Sequence, residues 1–250
     1  MLNPNRERTS KELEGAFIGT LLGDSYISNG NMFACEQTSE NLIEYKKILL
    51  EQLTGKNINT SVRQRKPAVV HNNKHKSTFK PSHSTKARHE LFKKLREQLY
   101  VNGTKQVSMS ILKRLTDEGL ALWIMDDGTM YYSASNHTKY MRICTDSFDA
   151  FSINQIQQFF SERYNIATKI YMHNSGKGSI KKPRIQFNAA NAQKIISRVY
   201  KFTLPEYYYK LNLHYTDKTL KSKRCLSEYV NAVSYMSQHS SPTQLGEDIV

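Results

Sequence analysis

The chain carries one design twice, and this duplication restricts its fold more than any other feature. Leu13-Glu-Gly-Ala-Phe-Ile-Gly-Thr-Leu-Leu-Gly-Asp24-Ser-Tyr is an apolar run of helical character that ends in Gly-Asp. Leu120-Ala-Leu-Trp-Ile-Met-Asp-Asp127-Gly-Thr-Met-Tyr repeats it, with its acid 103 residues further on. A short Tyr-bearing strand, a turn and a second strand follow each run: Ser25 to Ser28 then Met32 to Gln37, and Thr129 to Tyr132 then Tyr140 to Thr145. Asn29-Gly-Asn and the polar stretch from Ser133 to Thr138 supply the turns. Next comes an amphipathic helix in each half. One opens on Ser39, brings Leu42, Ile43, Leu49, Leu50 and Leu53 to one face and stops at Gly55. The other starts at Ser147 or Asp149 and runs through Ile153, Ile156, Phe159 and Phe160. Basic strand pairs and third helices, Arg88 to Tyr100 and Ala189 to Tyr200, complete two αββαββα units.

The expected organisation is therefore α+β with pseudo-two-fold symmetry: a first half at 1–106, a linking helix at 107–115, a second half at 116–211, and a C-terminal extension at 212–250. The extension has helical spacing around Ser227 to Met236 and a polar end from Ser237. Gly15, Gly19 and Gly23 recur every fourth residue and make a smooth ridge on which another backbone can lie. The second helix shows no such ridge, carrying Leu122 and Trp123 near the corresponding turn.

Asp24 and Asp127 each close an apolar helix, where the helix dipole disfavours a carboxylate by about 0.3–1 kcal/mol. One such acid is a solvated turn residue. Two at equivalent places suggest a shared compensation, which a divalent cation supplies by satisfying carboxylates and helix-end carbonyls together. Metal-bound carboxylates beside a phosphodiester suit phosphoryl transfer. Lys105 and Lys210 close the two halves at nearly the same interval as the acids, so they are candidates for holding a water or neutralising developing charge.

The partner is read from charge. The chain has 36 Lys+Arg against 22 Asp+Glu, a net charge of +14. The first 115 residues hold +10 and the remainder +4. Two acid-free tracts, Arg63 to Arg88 and Arg163 to Pro205, carry eight and nine of the basic residues. Their Thr60 to Arg65 and Ile180 to Asn188 segments read as strands with Val62, Ile185 and Phe187 inward, so they do not form a basic amphipathic membrane helix. A polyanionic backbone rewards such stripes through counterion release. No apolar run is long enough to span a bilayer, the first residues lack a secretory signal's apolar core, and Cys35, Cys144 and Cys225 form no metal or disulfide pattern. An intracellular setting is expected, organelle-encoded or bacterial or phage.

Both motifs with both lysines in register resemble the LAGLIDADG homing endonucleases of the single-chain, two-motif kind, over about residues 12–212. The lysines fall in Asn102-Gly-Thr-Lys105 and Leu204-Pro-Glu-Tyr-Tyr-Tyr-Lys210-Leu. The resemblance implies a pseudo-symmetric monomer with the motif helices at the domain interface and a saddle of antiparallel strands on double-stranded DNA. It implies Mg²⁺-dependent hydrolysis of both strands of a long, specific, asymmetric target, leaving short 3′ overhangs. Mn²⁺ is expected to substitute, and Ca²⁺ to bind without supporting cleavage. Asp24 and Asp127 become metal ligands, with Gly23 and, ranked second, Asp126 completing the metal set. Ser25 replaces the motif's last Gly, and no departure removes a catalytic carboxylate.

Base-reading candidates on the strand pairs are Gln37, Arg63, Gln64, Arg65, Lys80, His83, Arg142, Lys169, Tyr171, Arg184 and Gln186. Strand alternation sends only every other one toward DNA. The competing function is an RNA maturase that assists splicing of its own intron, with intron RNA as partner. A non-cleaving DNA-binding regulator leaves the two helix-end acids without a reason.

Overall fold

The computed structural model describes residues 3–64, 81–133, 138–174 and 180–211. The first half runs α1 (Ser10–Leu22), β1 (Tyr26–Ile27), β2 (Met32–Gln37), α2 (Glu40–Thr54), β3 (Thr60–Arg63), β4 (Ser82–Arg88) and α3 (Glu90–Leu99). A hairpin, β5 (Tyr100–Val101) and β6 (Thr104–Lys105), and a single turn α4 (Met109–Leu112) lead into the second. That half runs α5 (Asp117–Asp127), β7 (Gly128–Ser133), β8 (Thr138–Cys144), α6 (Ala150–Tyr164), β9 (Lys169–His173), β10 (Lys182–Asn188) and α7 (Ala189–Val199). Short 3₁₀ segments at Tyr200–Phe202 and Pro205–Leu211 follow. The fold is α+β, and each half has the expected αββαββα order.

Each half builds a four-stranded antiparallel sheet, ordered β1-β2-β4-β3 and β7-β8-β10-β9, with its repeated hairpin at one edge. Helix starts follow their caps. Thr9 and Glu12 form a reciprocal capping box on α1, Ser39 Oγ accepts from the Leu42 amide of α2, and Asp149 caps α6 through the Ser152 amide. Gly55 ends α2 in the left-handed region, at φ 66°. The motif helices are buried along consecutive residues, Gly15 to Leu22 and Glu118 to Met125, because they lie between the two halves and have no solvent face. Phe17, Phe33 and Phe92 cluster in the first half, Phe159, Phe160 and Phe187 in the second, and Trp123 is wholly buried within the same continuous core.

Several expectations need correction. The linking helix is one turn at Met109–Leu112 rather than nine residues, and Arg88 is a strand residue paired with Met32, since α3 begins only after its His89 cap. Val62 does have the inward parity, sharing a face with Thr60, which pairs with buried Thr85. It is nevertheless 59% exposed, because β3 is an edge strand with a neighbouring strand on one side only. Ile170 and Met172 on edge strand β9 are half-exposed in the same way, while Ile185 and Phe187 on the inner strand are buried as expected. The extension at 212–250 lies outside the described residues.

Candidate active site and nucleic-acid interface

Glycine brings the motif helices together. A Cβ on Gly15 would stand 2.5 Å from Thr116 Cγ2, and one on Gly19 would overlap the Gly119 carbonyl group. The ridge therefore works as expected on α1, but α5 answers it with Gly119, whose own Cβ would overlap the Gly15 carbonyl. A lone glycine gives no ridge in the sequence, which is why the second helix's share of the contact was not apparent there. Close backbone packing places the two helix C-termini side by side, and with them Asp24, just past the Gly23 cap of α1, and Asp127, the last residue of α5.

The lysines arrive by different routes at equivalent places. Asn102 and Gly103 both have positive φ, 51° and 79°, forming the tight turn that returns β6 beneath α1. Lys105 Nζ then donates to the Leu21 carbonyl at 2.6 Å, Ser25 at 3.2 Å and Gly23 at 3.4 Å. Lys210, on the last 3₁₀ segment, donates to the Met125 carbonyl at 2.6 Å and the Asp126 carbonyl at 2.8 Å. Each lysine thus offsets the negative end of its own half's helix. Burial lowers both ammonium pKa values, against the attraction of Asp24, Asp126 and Asp127.

Asp127 is pushed up to about 7, first by burial, then by the charges of Asp24 and Asp126, with both lysines opposing. Asp24 is exposed, and its Oδ2 accepts from Gln37 Nε2 at 2.8 Å. Asp126 faces the other way. Its carboxylate lies 2.8 Å from the buried Lys46 ammonium and also accepts from the Asp24 amide at 3.1 Å. Burial opposes the charge on Lys46, yet Asp126 raises its pKa and holds it protonated.

The chemistry of these donors fits a hard divalent cation at Asp24 and Asp127: two carboxylate-bearing residues, one strongly disfavoured as an anion, beside lysines already committed to carbonyls. Among the described residues no group of three or more His, Cys, Asp or Glu side chains forms a cage. A cation held by one or two carboxylates and completed by substrate phosphate and water needs none. Asp126 does not fit the same set, because Lys46, Gln37 and the Asp24 amide occupy its oxygens.

Strand register sorts the base-reading candidates. In the second sheet Met141, Ile143, Ile185 and Phe187 face the helices, so Arg142, Arg184, Gln186, Lys169 and Tyr171 all share the opposite, open face. There Arg142 lies over the Tyr171 ring at 3.2 Å and the Tyr140 ring at 4.5 Å, and it donates to Gln186 at 2.8 Å. Arg184 is held by Asp146 through two bonds of 2.8 Å. In the first sheet the open face carries exposed Arg63, while Gln37 and His83 have the helix-side parity of Cys35 and Thr85. Gln37 consequently belongs to the aspartate cluster. Gln64 is exposed just past β3, and Arg65 and Lys80 lie outside the described residues. Sequence reasoning missed Lys86 and Arg88, exposed on the open face; counting alternation outward from buried Thr85 finds Lys86. It also missed Lys46, a lysine at a helical core position between Ile43 and Leu50, which was a signal in itself.

The molecule so defined is a duplicated α+β chain whose two central helices each bring a carboxylate to the seam between two antiparallel sheets bearing basic residues on their open faces. The chain belongs to the LAGLIDADG DNA endonuclease family, whose model matches residues 15–195. It is 24% identical over 208 residues to the cytochrome b mRNA maturase bI2 of Debaryomyces hansenii, covering 80% of this chain and 74% of that one. It is 26% identical over 220 residues to an uncharacterized protein of Methanocaldococcus jannaschii, covering 86% and 80%. The homing endonuclease I-WcaI, solved bound to its DNA recognition sequence, shares the fold with a TM-score of 0.65 at 21% identity, over 82% of this chain and 88% of that one.

Proposed function

We propose that this chain is a site-specific homing endonuclease that hydrolyses both strands of a long DNA target and leaves short 3′ overhangs. The observation that carries the reading is the meeting of Asp24 and Asp127, one from each half, at the seam of glycine-packed helices between two sheets with basic open faces. Asp24 and Asp127 would hold Mg²⁺, with Mn²⁺ as a substitute and Ca²⁺ supporting binding alone. The bound metal supplies Lewis-acid polarisation of the phosphate, a lowered pKa for water and stabilisation of the leaving oxygen. The chain's own residues do the rest. Lys105 and Lys210 keep positive charge next to the reacting centre while neutralising the helix ends, and Gln37 orients Asp24. Arg63, Lys86 and Arg88 in one sheet and Arg142, Lys169 and Gln186 in the other grip phosphates and read base edges.

The two open faces differ, Ser and Lys/Arg against Tyr and Arg, so the target is asymmetric. Both acids belong to one chain, so a monomer suffices. The setting is intracellular, in an organelle or a bacterial or phage host.

The test is Mg²⁺-dependent cleavage of a randomised or genomic DNA library with end mapping, followed by Asp24→Asn and Asp127→Asn. Each variant should lose cleavage by about a hundredfold or more while retaining DNA binding. Undiminished cleavage in both would remove the metal assignment. The second reading, an RNA maturase, is favoured by the likeness to the Debaryomyces maturase. Tight binding to intron RNA and none to the intronless duplex in a gel shift would establish it instead.

A further inference from the structure

The residues that precede the two acids, Gly23 and Asp126, meet at the seam. A Cβ on Gly23 would stand 2.6 Å from the Asp126 Cβ and 2.8 Å from its Cγ, so only one of these positions can carry a side chain. Asp126 has it, and leans into the first half. Its two oxygens lie 2.9 and 2.8 Å from Lys46 Nζ. One also accepts the Asp24 amide at 3.1 Å. The other accepts from Gln37 Nε2 at 3.1 Å, and that same amide group donates to Asp24 Oδ2 at 2.8 Å. The Lys46 and Asp126 side chains are both 0% exposed.

The pseudo-symmetric counterpart is different. Helices α2 and α6 each have 15 residues and begin directly after their caps, Ser39 and Asp149, so Lys46 corresponds to Ile156. Ile156 is a fully buried aliphatic side chain, and the position equivalent to Asp126, the residue before the first acid, is Gly23. One side of the site thus has a bridged ion pair, and the other has neither charge.

A buried ion pair does little for stability compared with apolar packing of the same volume, so its retention here calls for another reason. We propose that Lys46, acting through Asp126 and Gln37, is a positioning residue that fixes Asp24 and has no counterpart for Asp127, so that its loss slows the cutting of one DNA strand only. This rests on the reading of Asp24 and Asp127 as the metal-holding pair. Asp24 lies past the helix end, exposed, and needs its backbone and carboxylate tethered. Asp127 is already set by the last turn of α5, where the Gly128 amide still bonds to the Ile124 carbonyl. Lys46 also keeps Asp126 turned inward, which keeps a third carboxylate out of the metal site.

Lys46→Met removes the charge and keeps most of the stem, and two measurements read its effect. In metal-free protein, hydrogen exchange at the Asp24 amide should quicken about tenfold, as loss of one charged hydrogen bond allows, while exchange at Gly128 stays unchanged. With Mg²⁺ and supercoiled plasmid carrying the target, one strand should slow by about the same factor so that nicked circle accumulates, with Ca²⁺-supported DNA binding unaltered. Lys46→Arg should stay near the parent in both. Should Lys46→Met not fold, Lys46→Met/Asp126→Gly copies the uncharged Gly23–Ile156 side, leaves no unpaired carboxylate, and carries the same two measurements. Unchanged Asp24 exchange, or equal slowing of both strands, would overturn the proposal. If the parent chain cuts no DNA, the nuclease reading falls and the exchange result alone decides whether Lys46 fixes Asp24.

Discussion

Gly19 and Gly119 face each other across the pseudo-dyad so closely that a Cβ on Gly19 would overlap the Gly119 carbonyl group. Neither backbone can retreat, because both helices are buried along their length between the two halves. The placing of the catalytic candidates depends on this contact, five residues upstream of Asp24 on α1 and eight residues upstream of Asp127 on α5.

Gly19→Ala should accordingly force the halves apart. Overpacking of this kind costs about 1–3 kcal/mol, read as a lower midpoint in urea denaturation. Gly30→Ala is the control, since its added Cβ meets nothing closer than 4.0 Å, and its midpoint should stay close to the parent.

Lys105→Met or Lys210→Met should lower stability by about 1–2 kcal/mol in chemical denaturation, because each ammonium bonds to helix-end carbonyls that water cannot easily reach. Cleavage should fall further than stability does, since each lysine also lies within the field of Asp24, Asp126 and Asp127. A stability loss with undiminished cleavage would confine the lysines to a structural role.

At the opposite end of α5, buried Glu118 accepts from Arg8 at 2.6 Å, Arg6 at 2.6 Å and Tyr45 at 2.6 Å, tying the N-terminal strap and α2 to α5. Burial pushes the Glu118 carboxyl up, but the bonds from Arg8, Tyr45 and Arg6 outweigh it and the pKa falls below 4.5. A carboxylate lowered in the fold contributes stability that is present above its unfolded value and lost as pH drops through the folded one. The parent should therefore lose stability below about pH 4.5, and Glu118→Gln should flatten that limb. At pH 7 the variant should be about 3–5 kcal/mol less stable, since two arginines lose their buried anion.

Affinity for DNA should fall steeply with salt. Lys86→Ala or Arg63→Ala should weaken binding to all sequences alike and reduce the salt slope by about one each. Arg142→Ala should instead relax discrimination at one position by about 1–3 kcal/mol, because its guanidinium is braced by Tyr140, Tyr171 and Gln186 as a fixed fork. Binding titrations at several salt concentrations on matched and mismatched duplexes distinguish the two behaviours. Cleavage at low salt should still require the divalent cation.

Most of the architecture was legible without coordinates. Caps such as Ser39, stops such as Gly55 and the alternation around Ile185 and Phe187 are local signals, and local signals determined the order of elements in each half. The five candidates named on the second sheet all share its open face because buried Ile185 and Phe187 set the register. The first sheet was less legible. Its apolar marker, Val62, lies exposed on an edge strand, and Gln37, the last residue of β2, reaches the aspartates instead of the open face.

The duplication, the acids Asp24 and Asp127 at helix ends, the lysines that close each half and the basic strands that flank them are all written along the chain. Each of these follows from periodicity or from repetition along the chain. That Gly119 answers the glycine ridge, that Gly23 leaves room for Asp126, and that Lys46 holds Asp126 while Gln37 bonds Asp24 all follow from packing. Those outcomes depend on which side chain fits where two segments about a hundred residues apart come into contact. Where residues 23 and 126 meet there is space for one side chain, not two, and no pattern within either half records which half provides it.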